Sequence, residues 1–500
     1  MTHLLVPFLQ RSIIYTGENL FRDLVIPFLK VYIYMKDICD KNMTFHDCEL
    51  AILRAAVDKA EEQQGRKTAN SPEIKRIIGI VENFLRKKQL VCYGGTAINN
   101  ELPKQDQFYN TNIEIPDYDF YSSNALKDSK ELVDLYVDNG FQEVEGKSGQ
   151  HHGTYKVFVN FIPVADITQI PKDLFNSIKR DAVKVAGILY SPPNLLRMNM
   201  YLELSRPAGD TSRWEKVLKR LTLLNKHYPL TAKQCSSVQF QRQMNDSEYA
   251  DNIYDNVQQT FIDQGVVFFG GYALSRYSQY MPKQLRYQLE KIPDFDVLSE
   301  EPILTAQIVK ERLYDINVKN VKIVKRPGVG EVIAPHYEIK VGKDTVAFIY
   351  KPLACHSYNV IKDYGHEVKI ATIDTMLSFW LAFLYANRPY YDKDRILCMS
   401  KYLFDVQEKN RLAQKGLLKR FSINCMGHQE TVEEMRAEKA DKFNELKNKK
   451  GEEYEEWFLR YRPSDAKINK PITSKNANNN KHKLKTKSKT KTKKKRGFFF

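Results

Sequence analysis

No run of 18 or more apolar residues occurs in the 500-residue chain, so nothing in it asks for a membrane-spanning helix. The seven cysteines include no CxxC and no Cys/His set at zinc spacing. An odd number scattered in this way predicts free thiols in a reducing compartment, neither a disulfide scaffold nor a zinc site. P-loop and HExxH motifs are both missing. Acidic residues are missing from the end of the chain: from Lys467 to Phe500 there are 13 Lys or Arg and no Asp or Glu. Of the formal net charge of +16, all but +3 sits in that tail. Like charges so closely spaced repel, and little there can pack, so 464–500 is expected to be disordered. Such a tail either solubilises or targets the protein, or draws it to nucleic acid by releasing counterions from phosphates.

What is present is enough for two or three domains, with 42% hydrophobic residues. Residues 1–43 are apolar-rich but broken by Arg11, Glu18, Arg22, Asp23 and Lys30. They read as a peripheral or partner-binding extension rather than a signal peptide, with Met35 and Met43 as alternative starts. The stretch from Thr44 to Lys67 predicts an amphipathic helix. A second helix follows, capped by Ser71 with Pro72 in its first turn and Ile74, Ile77, Ile78, Val81, Phe84 and Leu85 on one face. Next come a short strand "LVCY", Gly94-Gly95, helix-like sequence, the alternating strand "IPDYDFYS", and one or two strands in "GTYKVFVNFIPVADIT". Near residue 250 this order restarts. "YGGTAIN" is echoed by "FGGYALS", "IPDYDFYS" by "IPDFDVLS", and "FIPVADIT" by "YKPLACHS". Three correspondences in the same order indicate two copies of one α/β unit, over 44–245 and 246–463, each with flanking helices.

The first copy carries the chemistry. Asp117 and Asp119 are two apart in a strand, hence on one face, and their charges repel unless a cation lies between them. Asp166, from a neighbouring strand, supplies a third oxygen arm. Three carboxylates plus phosphate oxygens suit magnesium, and a pair of such ions suits phosphoryl transfer. Gly94 and Gly95 let the backbone approach a ligand, and the helix start beyond them offers N–H groups to a triphosphate, with Thr96 adding a hydroxyl. Downstream, "RPAGDTSRWEKVLKR" gathers Arg206, Arg213, Lys216, Lys219 and Arg220 with Ser212 as a donor and Trp214 as a flat face. Arg213 and Lys216 would neutralise a triphosphate and Trp214 would stack on a base. The plainer reading is a capped helix with a core Trp and a solvated basic face. His151-His152 and the Cys355-His356 pair lack the neighbours that a metal site or a nucleophile needs. The repeat places Cys355 where the first copy has Asp166. A neutral thiol is a poor magnesium ligand, and Glu338 lies on the opposite arm of the hairpin. The second copy is therefore expected to keep the fold and lose the chemistry.

"GG…DYD…AD" resembles the signature of the DNA polymerase β-like nucleotidyltransferases, with a longer gap between the glycines and Asp117 than is usual. "VCYGGTAINNELP", "PDYDFYS", "VADITQIP" and "MNMYLELSRPAGDTSRWEKV" resemble the poly(A) polymerase catalytic subunits of large cytoplasmic DNA viruses. The likeness runs over about 45–460. It implies two tandem nucleotidyltransferase-like units, the second degenerate, in an α/β (α+β) chain with flanking helices. It implies that Asp117, Asp119 and Asp166 bind Mg2+ or Mn2+, and that Gly94 and Gly95 contact the phosphates of ATP. AMP would pass to the 3′-hydroxyl of RNA in the host cytoplasm or viral factory, and the virion is a second setting. A homodimer or a processivity subunit fits the analogy, and a membrane does not. The other readings are a nucleotidyltransferase of this fold with a different acceptor, and a non-catalytic RNA-binding subunit.

Overall fold

A computed structural model of the chain describes residues 38–463 apart from 40, 41, 111, 243, 245–249, 287, 288, 290–294, 364, 411 and 450. The readings of the Lys-rich tail and of most of the N-terminal extension lie outside the described residues. The helix Pro72–Lys88 forms as its pattern predicts. Ser71 Oγ accepts from the Ile74 N–H at 3.2 Å, and Ile74, Ile77, Val81, Phe84 and Leu85 are buried. The preceding helix, Phe45–Ala69, departs from expectation. Among the described residues it buries only Ala69, half-buries Leu50 and Ile52, and leaves Phe45, Leu53 and Val57 exposed, so it lacks a fully buried apolar face.

The first sheet contains β1 (Val91–Tyr93), β2 (Tyr118–Ser122), β3 (Val144–Ser148), β4 (Thr154–Val159), β5 (Ile162–Gln169), β6 (Val183–Val185) and β7 (Ile188–Tyr190). Their order is β3-β4-β5-β2-β1-β7-β6, parallel at β2/β5 and β1/β7 and antiparallel elsewhere. The second sheet contains β8 (Val267–Phe268), β9 (Phe295–Leu298), β10 (Val321–Arg326), β11 (His336–Val341), β12 (Asp344–Tyr350), β13 (His356–Asp363) and β14 (His366–Ala371). Its order, β10-β11-β12-β9-β8-β14-β13, has parallel pairs at β9/β12 and β8/β14. Strand for strand and sense for sense the two sheets match, so the repeat read from three short motifs is a repeat of topology.

Each sheet gains one edge strand. β15 (Cys425–Met426) adds to β13, and β16 (Arg460–Tyr461) adds to β3. The second addition revises the expected boundary, because the C-terminal helices return to the first unit. Tyr155 Oη donates to the Glu456 carbonyl at 3.2 Å, Lys130 pairs with Glu455 at 2.6 Å, and Tyr461 Oη donates to Asp134 at 2.8 Å. The two units meet where the helix Pro193–Leu204 lies against Ile373–Phe383, both richly buried.

The cysteines also overturn an expectation. Cys39–Cys48, Cys235–Cys398 and Cys355–Cys425 are disulfides, and Cys92 alone is a buried free thiol. Packing brings distant positions to Cα separations of 5.1–5.5 Å, which spacing along the chain cannot reveal. Unfolded without reductant, the chain should therefore titrate one thiol, and seven after reduction. Reductant should also lower the melting temperature by several degrees, since closing loops of 163 and 70 residues constrains the unfolded chain by about 4–5 kcal/mol each. Seven titratable thiols before reduction would refute the pairing.

Candidate active site

The site is built where β1 ends. Gly94 has φ +71°, and a Cβ there would stand 2.5 Å from Asp119 Oδ2. A Cβ at Gly95 would collide with the Tyr109 hydroxyl. The positive φ favours glycine at Gly94, and at Gly95 a side chain would have to displace the Tyr109 hydroxyl. The helix Gly94–Glu101 begins here without a side-chain cap, and its first residues line a cleft. The Thr96 hydroxyl donates to the Asp117 carbonyl at 2.6 Å and so ties the helix start to the strand that bears the carboxylates.

Asp117 directly precedes β2 and Asp119 lies within it, so alternation puts them on one face. The parallel register of β2 with β5 sets Asp119 directly beside Asp166. All three line a cleft of ≈1050 Å³, together with Gly94, Gly95, Thr96, Arg213, Lys216 and Arg220. Loss of water, and then the charges of Asp117 and Asp166, push the Asp119 carboxyl up to about 7. Asp117 is raised too, by desolvation first and then by Asp166, against the pull of Lys156. Lys156, opposite Asp166 on β4, forms an ion pair with Asp166 Oδ2. Asp166 Oδ1 is buried with no hydrogen-bond partner.

Among the described residues no three His, Cys, Asp or Glu side chains form a ready cage for an ion. The trio nevertheless fits a hard divalent cation. The donors are all oxygen, one is buried and unsatisfied, the charges repel, and magnesium draws few of its ligands from protein when phosphates and water complete its shell.

Two residues expected at the site are elsewhere. Ser212 Oγ donates to Asp210 at 2.5 Å, inside the turn that starts the helix Trp214–His227, and does not line the cleft. Trp214 donates through Nε1 to the Glu203 carbonyl at 3.0 Å and packs on Phe421, so it is a structural residue. His151 lines the cleft, and His152 stacks on Trp457 with ring centroids 4.1 Å apart. Lys156 and Tyr109 went unnoticed in the sequence. Lys156 carries no motif, and Tyr109 lies in the lengthened gap before Asp117.

The second unit shows why it differs, and the reason is not Cys355. In the register of β9 with β12 the residue beside Asp296 is Phe348. "VAFIY" in β12 is the counterpart of "VADIT" in β5, and Phe348 stands where Asp166 stands. Cys355 lies beyond the strand, bonded to Cys425. Glu338 is opposite Phe348, the place Lys156 has in the first unit, and is held by Arg326 at 2.5 Å. Arg242 fills the pocket itself. Its guanidinium donates to both Asp296 oxygens, at 3.2 and 3.3 Å, and lies 4.5 Å from the centre of the Phe348 ring. Only ≈20 Å³ of free space is left there. Of the second aspartate pair, Asp294 lies outside the described residues. His356 is buried with neither ring nitrogen bonded, and burial holds its pKa down at about 3, so it makes no nucleophile pair with the disulfide-bonded Cys355.

The model of one protein family, the poly(A) polymerase catalytic subunit, matches residues 79–210. This stretch runs from before the glycine pair, through the three aspartates, to the turn ahead of Arg213. It is where the resemblance drawn from the motifs holds. A mimivirus protein (Acanthamoeba polyphaga mimivirus) is 33% identical over 162 residues, which is 32% of this chain and 27% of that protein. An African swine fever virus protein (strain Badajoz 1971 Vero-adapted) is 32% identical over 171 residues, 33% of this chain and 36% of its own length. Both are named, provisionally, as poly(A) polymerase catalytic subunits, and the chain spans about a third of the length of these relatives. The crystal structure of the Megavirus polyadenylate synthase superposes with a TM-score of 0.70 at 19% identity, over 87% of this chain and 89% of that one. The two-unit α/β fold is thus shared with that enzyme.

Proposed function

We propose that the chain transfers AMP from ATP to the 3′-hydroxyl of RNA without a template. The observation that carries this is the cleft, in which three carboxylates, one pushed up to about 7 by its burial and then its neighbours, face a glycine pair and a cationic wall. Such a concentration of like charge is a poor way to hold a fold together and a good way to hold divalent cations, Mg2+ or Mn2+, against a triphosphate. When bound, these ions would acidify the attacking hydroxyl and screen the departing pyrophosphate. The chain's own parts then have distinct duties. Asp117, Asp119 and Asp166 would hold the cations, and Lys156 pairs with Asp166. Gly94 and Gly95 admit the phosphates, Thr96 holds that turn in place, and Arg213 and Lys216 bring positive charge to the cleft. The 3′-hydroxyl gives up its proton to water, its oxygen bonds to the α-phosphorus as the bond to the β-phosphate oxygen breaks, and pyrophosphate leaves. The relatives come from viruses, which supports a viral setting, and the host cytoplasm is the compartment, and a homodimer or a processivity subunit the assemblies, to look for.

The test is purified protein with Mg2+, a short labelled RNA and each NTP in turn. Long extension by ATP alone is expected. Nucleotide placed on a small acceptor, or RNA bound and never extended, would replace this reading with another acceptor or with a binding subunit.

A further inference from the structure

The gap between the helix Gly94–Glu101 and Asp117, longer than the signature calls for, lends Tyr109, Ile113, Glu114 and Ile115 to the lining of the cleft. It is fastened at three places. Asp106 accepts from Lys226 at 3.0 Å and meets His227 at 2.5 Å, at the far end of the helix Trp214–His227. Asn99 Oδ1 accepts from the backbone N–H groups of Phe108 and Tyr109, at 2.9 and 2.8 Å. The Asn112 carbonyl accepts from Asn70 Nδ2 at 3.1 Å. These ties hold the Tyr109 hydroxyl against Gly95.

Arg220 meets it there. Its Nη2 donates to the Tyr109 hydroxyl at 2.7 Å, and Nη1 is 3.0 Å from where a Gly95 Cβ would stand. The guanidinium lies 4.7 Å from the centre of the Phe108 ring and 5.4 Å from that of Tyr109. On the same run Arg213 pairs with Glu203 at 3.1 Å and Lys219 with Glu215 at 2.6 Å, while Lys216 lines the same cleft. Among the described residues no carboxylate forms an ion pair with Arg220. A half-buried guanidinium with a neutral phenol for a partner, stacked in place at the entrance to the glycine pair, keeps most of its five donors for something else.

From this we infer that Tyr109 and Arg220 form a latch on the glycine pair. Arg220 is the cation that takes the terminal phosphates of the triphosphate, and Tyr109 is the positioning residue that holds it ready. On arrival, phosphate oxygens replace the phenol as the guanidinium's acceptors, and the charge-assisted bonds they make are stronger than the one given up. The stacking on Phe108 keeps the side chain from having to be ordered at that moment. The inference rests on the reading of the cleft as a nucleotide site.

The experiment compares wild type with Arg220→Gln, Arg220→Lys and Tyr109→Phe. Inorganic tripolyphosphate with Mg2+ is the binding probe, read by calorimetry without RNA, and steady-state extension is read beside it. Arg220→Gln should weaken tripolyphosphate binding by about ten- to a hundredfold and raise KM for ATP by a like factor, with KM for RNA within about twofold. Arg220→Lys should recover part of this, because a point charge cannot reproduce the planar fork. Tyr109→Phe should raise KM for ATP a few-fold and spare kcat. Tripolyphosphate binding unchanged in Arg220→Gln overturns the latch, as does a fall in kcat with KM for ATP unmoved. If Arg220→Gln does not fold, unchanged binding in both Arg220→Lys and Tyr109→Phe overturns it equally. Arg220-dependent tripolyphosphate binding by a wild type that never extends RNA would keep the latch and remove the reaction proposed above. Extension by ATP with no dependence on Arg220 would do the reverse.

Discussion

Asp119→Asn should cut AMP transfer by at least about 10³-fold while the protein stays folded, because one cation-holding arm is lost from a site whose rate depends on charge stabilisation. The same substitution should change how the metal-free protein responds to pH, and the sign follows from the carboxyl's surroundings. Burial first, then Asp117 and Asp166, raise its pKa from 3.8 to about 7. The folded state keeps this proton where the unfolded chain has released it. The resulting stabilisation is complete below about 4 and is lost as pH rises through about 7. Wild type should therefore lose melting temperature between pH 5 and 8 more steeply than Asp119→Asn. Mg2+ should restore it, with a larger shift at pH 8 than at pH 5, and should do little for the variant. Activity within a few-fold of wild type, or an equal Mg2+ shift in the variant, would mean that the trio is not where the cations bind.

Much of this was legible before any coordinates. The helix Pro72–Lys88 was written in Ser71, Pro72 and a run of apolar residues at helical spacing, because a cap and a buried stripe are local facts. The aspartates were legible because alternation along β2 follows from the peptide geometry alone, and the glycines because few other residues can take such close neighbours. What failed was whatever pairing across the chain decides. The Pro-x-Ala of "YKPLACHS" aligns Cys355 with Asp166, but a strand's equivalent is fixed by the partner it hydrogen-bonds to, and the ladder puts Phe348 beside Asp296. "VAFIY" against "VADIT" was the available signal. Arg242 gave none, since it lies outside the repeated motifs and acts only because the fold brings it to Asp296. The disulfides and the return of 432–461 to the first sheet are of the same kind, distant in sequence and adjacent in space.

Arg242 gives the second large expected effect. In the first unit Asp117, Asp119 and Asp166 crowd together, with Lys156 paired to one of them. In the second the chain supplies the cation itself, with a guanidinium on Asp296, and replaces the third carboxylate by a ring on which that guanidinium lies. Arg242→Ala removes the positive charge facing a largely buried carboxylate and should destabilise the protein by about 3–5 kcal/mol. Adding Asp296→Asn removes the charge left behind and should return part of that loss, whereas two unrelated lesions would add. AMP transfer per folded molecule should be near wild type in both, because the first cleft lies in the other sheet. Phe348→Asp in an Asp166→Ala background is the sharper arm. It puts a carboxylate back at the position the register identifies, yet ≈20 Å³ of space beside a resident guanidinium admits neither a triphosphate nor its ions. That protein should remain inactive. Mg2+-dependent extension of RNA by it, abolished by a further Asp296→Ala, would show that the second unit needs only its third carboxylate to work and that Arg242 is no substitute for a metal.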